Sequence, residues 1–174
     1  MATTKVAMTD AELRAHQEAV HRAWNAQDVD GILEHLTDDV VWIEPVLVAP
    51  LHGKQAVAGS LREMFGALPD MQLPVEDIRV ATSLDPTFYV AMWTATATMT
   101  GSLQGIPATG RTVNWSGTTA CTFRDGLISE YRMTYDALSI MQQLGVLPST
   151  DGLGFKSVAL VNLMLGRAKH ALHR

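Results

Sequence analysis

The chain is expected to fold as an α+β domain, with a few helices packed on a mostly antiparallel sheet. Three observations predict this. Apolar residues recur at helical spacing early in the chain, four strand-like stretches follow at about 71–82, 87–100, 111–124 and 127–136, and only short turn segments join those stretches. Parallel neighbours would need a crossover helix between each pair of strands, so a run of strands joined by turns reads as an antiparallel meander.

Thr9 followed three residues later by Glu12 is a capping box, and Leu13, Val20 and Trp24 then share one helical face, so a first helix covers about 10–25. Asp30 is expected to cap a short second helix over Gly31 to Leu36. The run Val40, Val41, Trp42 and Ile43 reads as a strand ending at Pro45. Val57, Leu61, Phe65 and Leu68 form another helical stripe, opened near Gly53 and stopped by Pro69. The meander follows, with turns at Asp85-Pro86, at Gly105 to Gly110 and at Asp125-Gly126. A short helix after Asp136 ends at Gly145, and Pro148 to Gly154 reads as a linker. Phe155 to Leu172 is expected to form a last helix, apolar nearly all round through Leu165 and basic beyond it. The organisation is one domain over 1–148 and an appendage over 149–174, packed on that domain or on a dimer partner.

Composition excludes several classes. A chain of 174 residues with 47% apolar and 18% charged residues can build a substantial core without metals or disulfides. The net charge of −5, with no basic stripe, argues against nucleic acid as a partner. Cys121 is the single cysteine, so no intrachain disulfide is possible and the cytoplasm is the expected compartment. Lys5, Asp10, Glu12 and Arg14 interrupt any signal-type apolar stretch. The uncharged window between Asp85 and Arg111 is long enough to span a bilayer. Its alternating Thr94, Thr96, Thr98 and Thr100, broken by Gly101, Gly105 and Pro107, instead reads as buried β-structure and a turn, so no membrane span is expected.

Gly53-Lys54 lacks the rest of a phosphate loop, and His16 and His21, five apart, are about 140° apart round a helix and make no zinc pair. No metal is expected from His170 and His173 either, and mid-strand Cys121 reads as an inert core thiol. What remains is carboxylates among apolar and aromatic residues. Asp136 closes the last strand after Tyr135, and alternation puts Arg132, Thr134 and Asp136 on one face. Two readings stay open for it: a partly dry acid/base whose pKa desolvation raises, or the cap of the helix that follows. Trp42 and Glu44 share a face at the end of the first strand, where Glu44 either reaches a pocket or is solvated. Trp24, Phe65, Trp93, Trp115 and Tyr131 suit a core, and some of them suit the walls of a flat apolar site.

These elements, in order, resemble a family. The segments Asp38-Asp39-Val40-Val41-Trp42-Ile43-Glu44-Pro45, His52-Gly53, Leu68-Pro69-Asp70, Pro107-Ala108-Thr109-Gly110-Arg111 and Phe123-Arg124-Asp125-Gly126-Leu127-Ile128-Ser129-Glu130-Tyr131 look like the SnoaL-like polyketide cyclases, and Gln142-Gln143-Leu144-Gly145 is similar to that group's ending. The likeness runs over about 10–148. It implies the NTF2-like architecture, a cone of bent sheet and helices with an apolar pocket at its open end. It also implies that Asp136 is the acid/base for an intramolecular aldol closure, with no metal or organic cofactor, on a small apolar carbonyl or polyketide-like substrate. The substrate-binding residues expected are Trp42, Glu44, Phe65, Trp93, Trp115, Thr118, Arg132 and Tyr135, and a homodimer is expected.

The chain departs from that pattern in two places. The cyclases carry a histidine on the strand before the last, whereas residues 111–124 contain none and offer Thr118, Thr119 and Thr122. The tail beyond Ser149 also exceeds the usual length. Two other enzyme readings compete, a limonene-type epoxide hydrolase and a ketosteroid-type isomerase, and a third is a non-catalytic binder of apolar ligands. The hydrolase resembles an Arg-x-Asp pattern on a middle strand, and 87–100 contains no charged residue.

Overall fold

A computed structural model describes residues 8–74, 78–84 and 87–148. The expected turn at Asp85-Pro86, the expected linker over Pro148 to Gly154 except Pro148 itself, and the last helix lie outside the described residues.

Helix α1 (Asp10–Asn25) begins with the expected capping box, the Thr9 side chain accepting from the Glu12 N–H while the Glu12 carboxylate accepts from the Thr9 N–H. Helix α2 (Val29–Glu34) starts two residues earlier than Asp30 predicts, because Asp28 is the cap and accepts from the Gly31 N–H at 3.0 Å. Strand β1 (Leu36–Ile43) is correspondingly longer than its apolar run, and β2 (Leu51–His52) pairs with it. Helix α3 (Lys54–Ala67) buries Val57, Ala58, Leu61 and Phe65. The meander is β3 (Arg79–Leu84), β4 (Thr87–Thr98), β5 (Thr112–Arg124) and β6 (Leu127–Tyr135), closed by α4 (Ala137–Gln143). The first expected strand is shortened: of its opening part, Gln72 only bridges Thr96.

The six strands form one curved sheet in the order β2-β1-β6-β5-β4-β3. All described pairings are antiparallel except β1 with β6, which is parallel, with Trp42 beside Tyr131. Between β5 and β6, Asp125 (φ 54°) and Gly126 (φ 80°) are both left-handed, the two-residue turn whose twist matches the flanking strands. Such a conformation suits Asp-Gly, so the sequence signal at this hairpin is a physical one.

Alternation decides which side chains face inward. On β4 the buried residues are Tyr89, Ala91, Trp93, Ala95 and Ala97, and on β6 they are Ile128, Tyr131 and Met133. Helix α1 lies against β3 and β4, its face of Leu13, Gln17, Val20, His21 and Trp24 buried. Helix α4 is clipped to β5 by Gln143, whose amide donates to the Asn114 carbonyl and accepts from the Asn114 N–H, both at 3.0 Å. Among the described residues no helix is long and apolar enough to cross a membrane.

Candidate functional site

The inner face of β4, β5 and β6, together with α1, α3, α4 and the loop after Thr98, encloses a cavity of about 140 Å³. A designed apolar void of roughly 150 Å³ stays dry and takes up a benzene ring, so this space has the scale of a small ring. Leu103 and Ile106 reach it from a tight turn carried by Gln104 and Gly105, both at positive φ. Met64, Met71, Met99, Met133 and Met141 supply much of the wall, and such side chains adapt to irregular apolar shapes.

Trp93, Gly117 and Tyr135 lie in register across β4, β5 and β6 on the inner face. The missing side chain of Gly117 makes room for the indole, since a Cβ there would meet the Trp93 ring at 2.5 Å. The Trp93 Nε1 donates to the Thr119 hydroxyl at 2.8 Å, which satisfies the indole and fixes its tilt. The Trp93 and Tyr135 rings sit 6.5 Å apart, and Trp115 also lines the cavity.

Glu44 follows β1 directly, and the parallel pairing of β1 with β6 carries it toward the end of β6. Its carboxyl lines the cavity and accepts from the Tyr135 hydroxyl at 3.3 Å. Burial raises its pKa above the ordinary glutamate value, partly offset by the tyrosine's hydrogen bond. Burial pushes the Tyr135 hydroxyl up as well, reinforced by the Glu44 charge, so it stays protonated and serves as a donor. A carboxyl held in an apolar hollow, poised closer to neutrality and carrying the neutral Tyr135 hydroxyl as a donor, is suited to taking and returning a proton.

Of the residues expected to form the site, Glu44, Trp93, Trp115 and Tyr135 come together in the cavity wall. Trp42 and Phe65 do not line it. They stand one layer behind, Trp42 stacked flat on Tyr131 at 4.0 Å and Phe65 edge-on to Trp24 at 5.6 Å. Thr118 and Arg132 are on the opposite face of the sheet. Strand phase puts Thr119 inside and Thr118 outside, and the exposed Arg132 pairs with Glu130 at 3.1 Å.

The expectation of a dry Asp136 is corrected. Its carboxylate is exposed, lies on a shallow outer depression beside Thr118 and Thr134, and accepts from the Ser139 N–H at 2.9 Å as the cap of α4. The side chain continues the outward phase of Arg132 and Thr134, which is why it misses the cavity. Cys121 is wholly buried and burial raises its thiol far above the ordinary range, as an inert core thiol requires. Among the described residues no cluster of three or more metal-ligating side chains occurs.

Three inward polar residues, Gln17, His21 and Thr119, are not among the site residues expected from the sequence. The first two sit one turn apart on the same helical face as Leu13, Val20 and Trp24, so polar interruptions of an apolar stripe were the available signal.

Fold and cavity together define an α+β cone of the NTF2-like type with an apolar cavity. The model of the SnoaL-like polyketide cyclases matches residues 14–144, and the chain belongs to that family. Among solved structures, it is similar to AclR from Streptomyces galilaeus, described as a proposed hydroxylase, at 25% identity and a TM-score of 0.68, over 93% of this chain and 99% of the other. A proposed polyketide cyclase from Xanthomonas campestris pv. campestris is 24% identical with a TM-score of 0.69, over 77% and 97% of the two chains. A proposed SnoaL-like polyketide cyclase from Jannaschia sp. CCS1 reaches a TM-score of 0.70 at 20% identity, over 85% and 99%. No curated protein matches the chain.

Proposed function

We propose that this protein is a polyketide-cyclase-like enzyme that closes a ring by acid/base chemistry, with Glu44 as the proton carrier. The observation that carries the reading is the Glu44 carboxyl within an apolar cavity, raised in pKa by burial and hydrogen-bonded by Tyr135. The substrate is a small apolar molecule with a carbon made acidic by flanking carbonyls and a second carbonyl within reach of it.

The Glu44 carboxylate removes a proton from that carbon, and the resulting enolate carbon attacks the second carbonyl. One carbon–carbon bond forms as the C=O π bond opens, and the Glu44 acid returns its proton to the new alkoxide. The reaction is an isomerisation overall and consumes no co-reactant. The Tyr135 hydroxyl holds the carboxyl in place and can move to the enolate oxygen as charge develops there. The apolar wall folds the chain so that the reacting carbons meet, and it withholds the water that would otherwise protonate the enolate. The proposal includes the homodimer and the cytoplasmic setting that the sequence leads one to expect.

Turnover of a tethered β-dicarbonyl tests the reading with Glu44→Gln and Asp136→Asn side by side. Glu44→Gln is expected to lower kcat by roughly 10²–10⁴, the ordinary contribution of a positioned acid/base group, and Asp136→Asn to leave it within a few-fold. Undiminished turnover by Glu44→Gln contradicts the assignment. The likeness to AclR over nearly the whole chain favours a second reading, hydroxylation with dioxygen as oxidant and a two-electron reductant as co-substrate, the second oxygen atom leaving as water. Product mass separates the two, because a cyclised product is isomeric with its substrate and a hydroxylated one is heavier by an oxygen atom.

A further inference from the structure

The α1 wall of the cavity carries a second polar pole, apart from the Glu44–Tyr135 pair. Asn25 and Leu73 are joined by a double hydrogen bond, with the Leu73 N–H donating to Asn25 Oδ1 at 2.8 Å and Asn25 Nδ2 donating to the Leu73 carbonyl at 2.9 Å. That pairing fixes which end of the Asn25 amide is nitrogen. His21 Nε2 stands 2.7 Å from the same carbonyl oxygen, an approach that requires the proton on Nε2. The carbonyl then uses both lone pairs, and the His21 tautomer is set. Nδ1 is left as a bare acceptor, with no protein partner among the described residues.

Gln17, one helical turn earlier, is likewise in the cavity wall, and its amide has no hydrogen-bond partner among the described residues. Both side chains are more than nine-tenths buried, with 7% of Gln17 and 8% of His21 exposed. Buried polar side chains are ordinarily hydrogen-bonded, and these two line a cavity in which a ligand can supply the missing partner. A fixed acceptor beside an amide that can donate is complementary to a hydroxyl, which donates one bond and accepts another.

We propose that Gln17 and His21 form a subsite for a hydroxyl group on the ligand, the hydroxyl donating to His21 Nδ1 and accepting from the Gln17 amide. The inference deepens the proposed function, resting on it for the reacting end of the substrate. The substrate is then an apolar ring compound with a phenolic or enolic hydroxyl directed to α1 and an acidic C–H directed to Glu44.

Binding of 2-naphthol and 2-methylnaphthalene, followed by quenching of the tryptophans in the cavity wall, tests it. The two probes have nearly the same shape and differ in the hydroxyl. The wild-type protein is expected to favour 2-naphthol at least ten-fold. Gln17→Leu, which leaves the His21–Leu73 tie intact, and His21→Leu are each expected to reduce that preference several-fold without weakening 2-methylnaphthalene. Glu44→Gln is expected to retain most of it. Absence of a preference in the wild-type protein, or its persistence in both leucine variants, overturns the subsite. A preference lost in Glu44→Gln and kept in Gln17→Leu and His21→Leu also overturns the subsite and leaves the role of Glu44 standing. A preference lost in the leucine variants, together with full turnover by Glu44→Gln, upholds the subsite and removes the proposed role of Glu44.

Discussion

The Tyr135 hydroxyl donates to the Glu44 carboxyl at 3.3 Å, joining two residues 91 positions apart inside an apolar cavity. The contact exists because β1 and β6 run parallel, with Ile43 beside Arg132, so that the chain leaving β1 passes the end of β6. Sheet topology thus places the half-buried Glu44 carboxyl next to a neutral donor, and the chemistry proposed for the site follows from that placement.

Holding Glu44 in the cavity has a consequence for stability. Its folded-state pKa is raised, so the folded protein binds a proton more readily than the unfolded chain does. The stabilising contribution is fully present below the unfolded value of 4.5 and is lost as pH rises through the folded value. Glu44→Gln is therefore expected to melt higher than the wild-type protein at pH 8, with the gap closing toward pH 4. Calorimetric Tm values across that range check it, and a variant that melts lower at pH 8 would show that the ionised carboxyl is stabilised where it lies.

Asp136 is expected to behave as a helix cap. Asp136→Ala removes the acceptor of the Ser139 N–H and should cost about 1 kcal/mol, whereas Asp136→Asn keeps a good cap and should stay within about 0.5 kcal/mol. Urea unfolding measures both. Loss of turnover in Asp136→Asn at unchanged stability would return the catalytic role to Asp136.

His16 is expected to make the fold acid-sensitive. Burial first, and the neighbouring His35 second, lower its pKa from 6.5 to about 4. Its ring meets His35 with 3.2 Å between ring nitrogens and the edge of Phe123, while Arg22 and Glu34 act on His35 in opposite senses. The unfolded chain takes up the proton first, so stability present above pH 6.5 is lost as pH falls toward about 4. Allowing for partial exposure, the loss is roughly 1–2 kcal/mol. His16→Leu should flatten the fall in urea midpoint between pH 7 and pH 4.5, and His35, lowered in the same direction, should leave a remainder.

Gly117 is the space that Trp93 occupies. Gly117→Ala places a Cβ at 2.5 Å from the indole and 2.9 Å from the Thr134 carbonyl, and overpacking of this kind costs about 1–3 kcal/mol. Near-ultraviolet circular dichroism should show the Trp93 environment altered along with the lower stability. An unchanged spectrum at wild-type stability would mean that the strands absorb the methyl group without moving the ring.

Much of this architecture is legible in the chain because local chemistry determines it. The Thr9–Glu12 capping box starts α1 where it reads, and Asp125-Gly126 turns the β5–β6 hairpin through two left-handed residues. The start of α2 is less legible, since Asp28 and Asp30 are both plausible caps and only Asp28 meets the Gly31 N–H. The site divides along the same line. Glu44, Trp93, Trp115 and Tyr135 are recognisable as candidates, yet whether Glu44 faces in or out depends on the pairing of β1 with β6, a relation that no local pattern encodes. Thr118 and Asp136 are less legible because strand phase needs an anchor: Trp115 and Thr118, like Tyr135 and Asp136, point to opposite faces of the sheet, and only Trp115 and Tyr135 line the cavity while Thr118, Arg132 and Asp136 face outward.

The carboxyl of residue 44 holds its proton more tightly than an ordinary glutamate because the apolar cavity wall withdraws it from water. Titration of the Glu44 side-chain carboxyl by carbon NMR, assigned by its loss in Glu44→Gln, measures this directly. A midpoint above 4.5 is expected, falling when the cavity wall is opened by Trp93→Ala. A midpoint at or below 4.5, unchanged in Trp93→Ala, would contradict it.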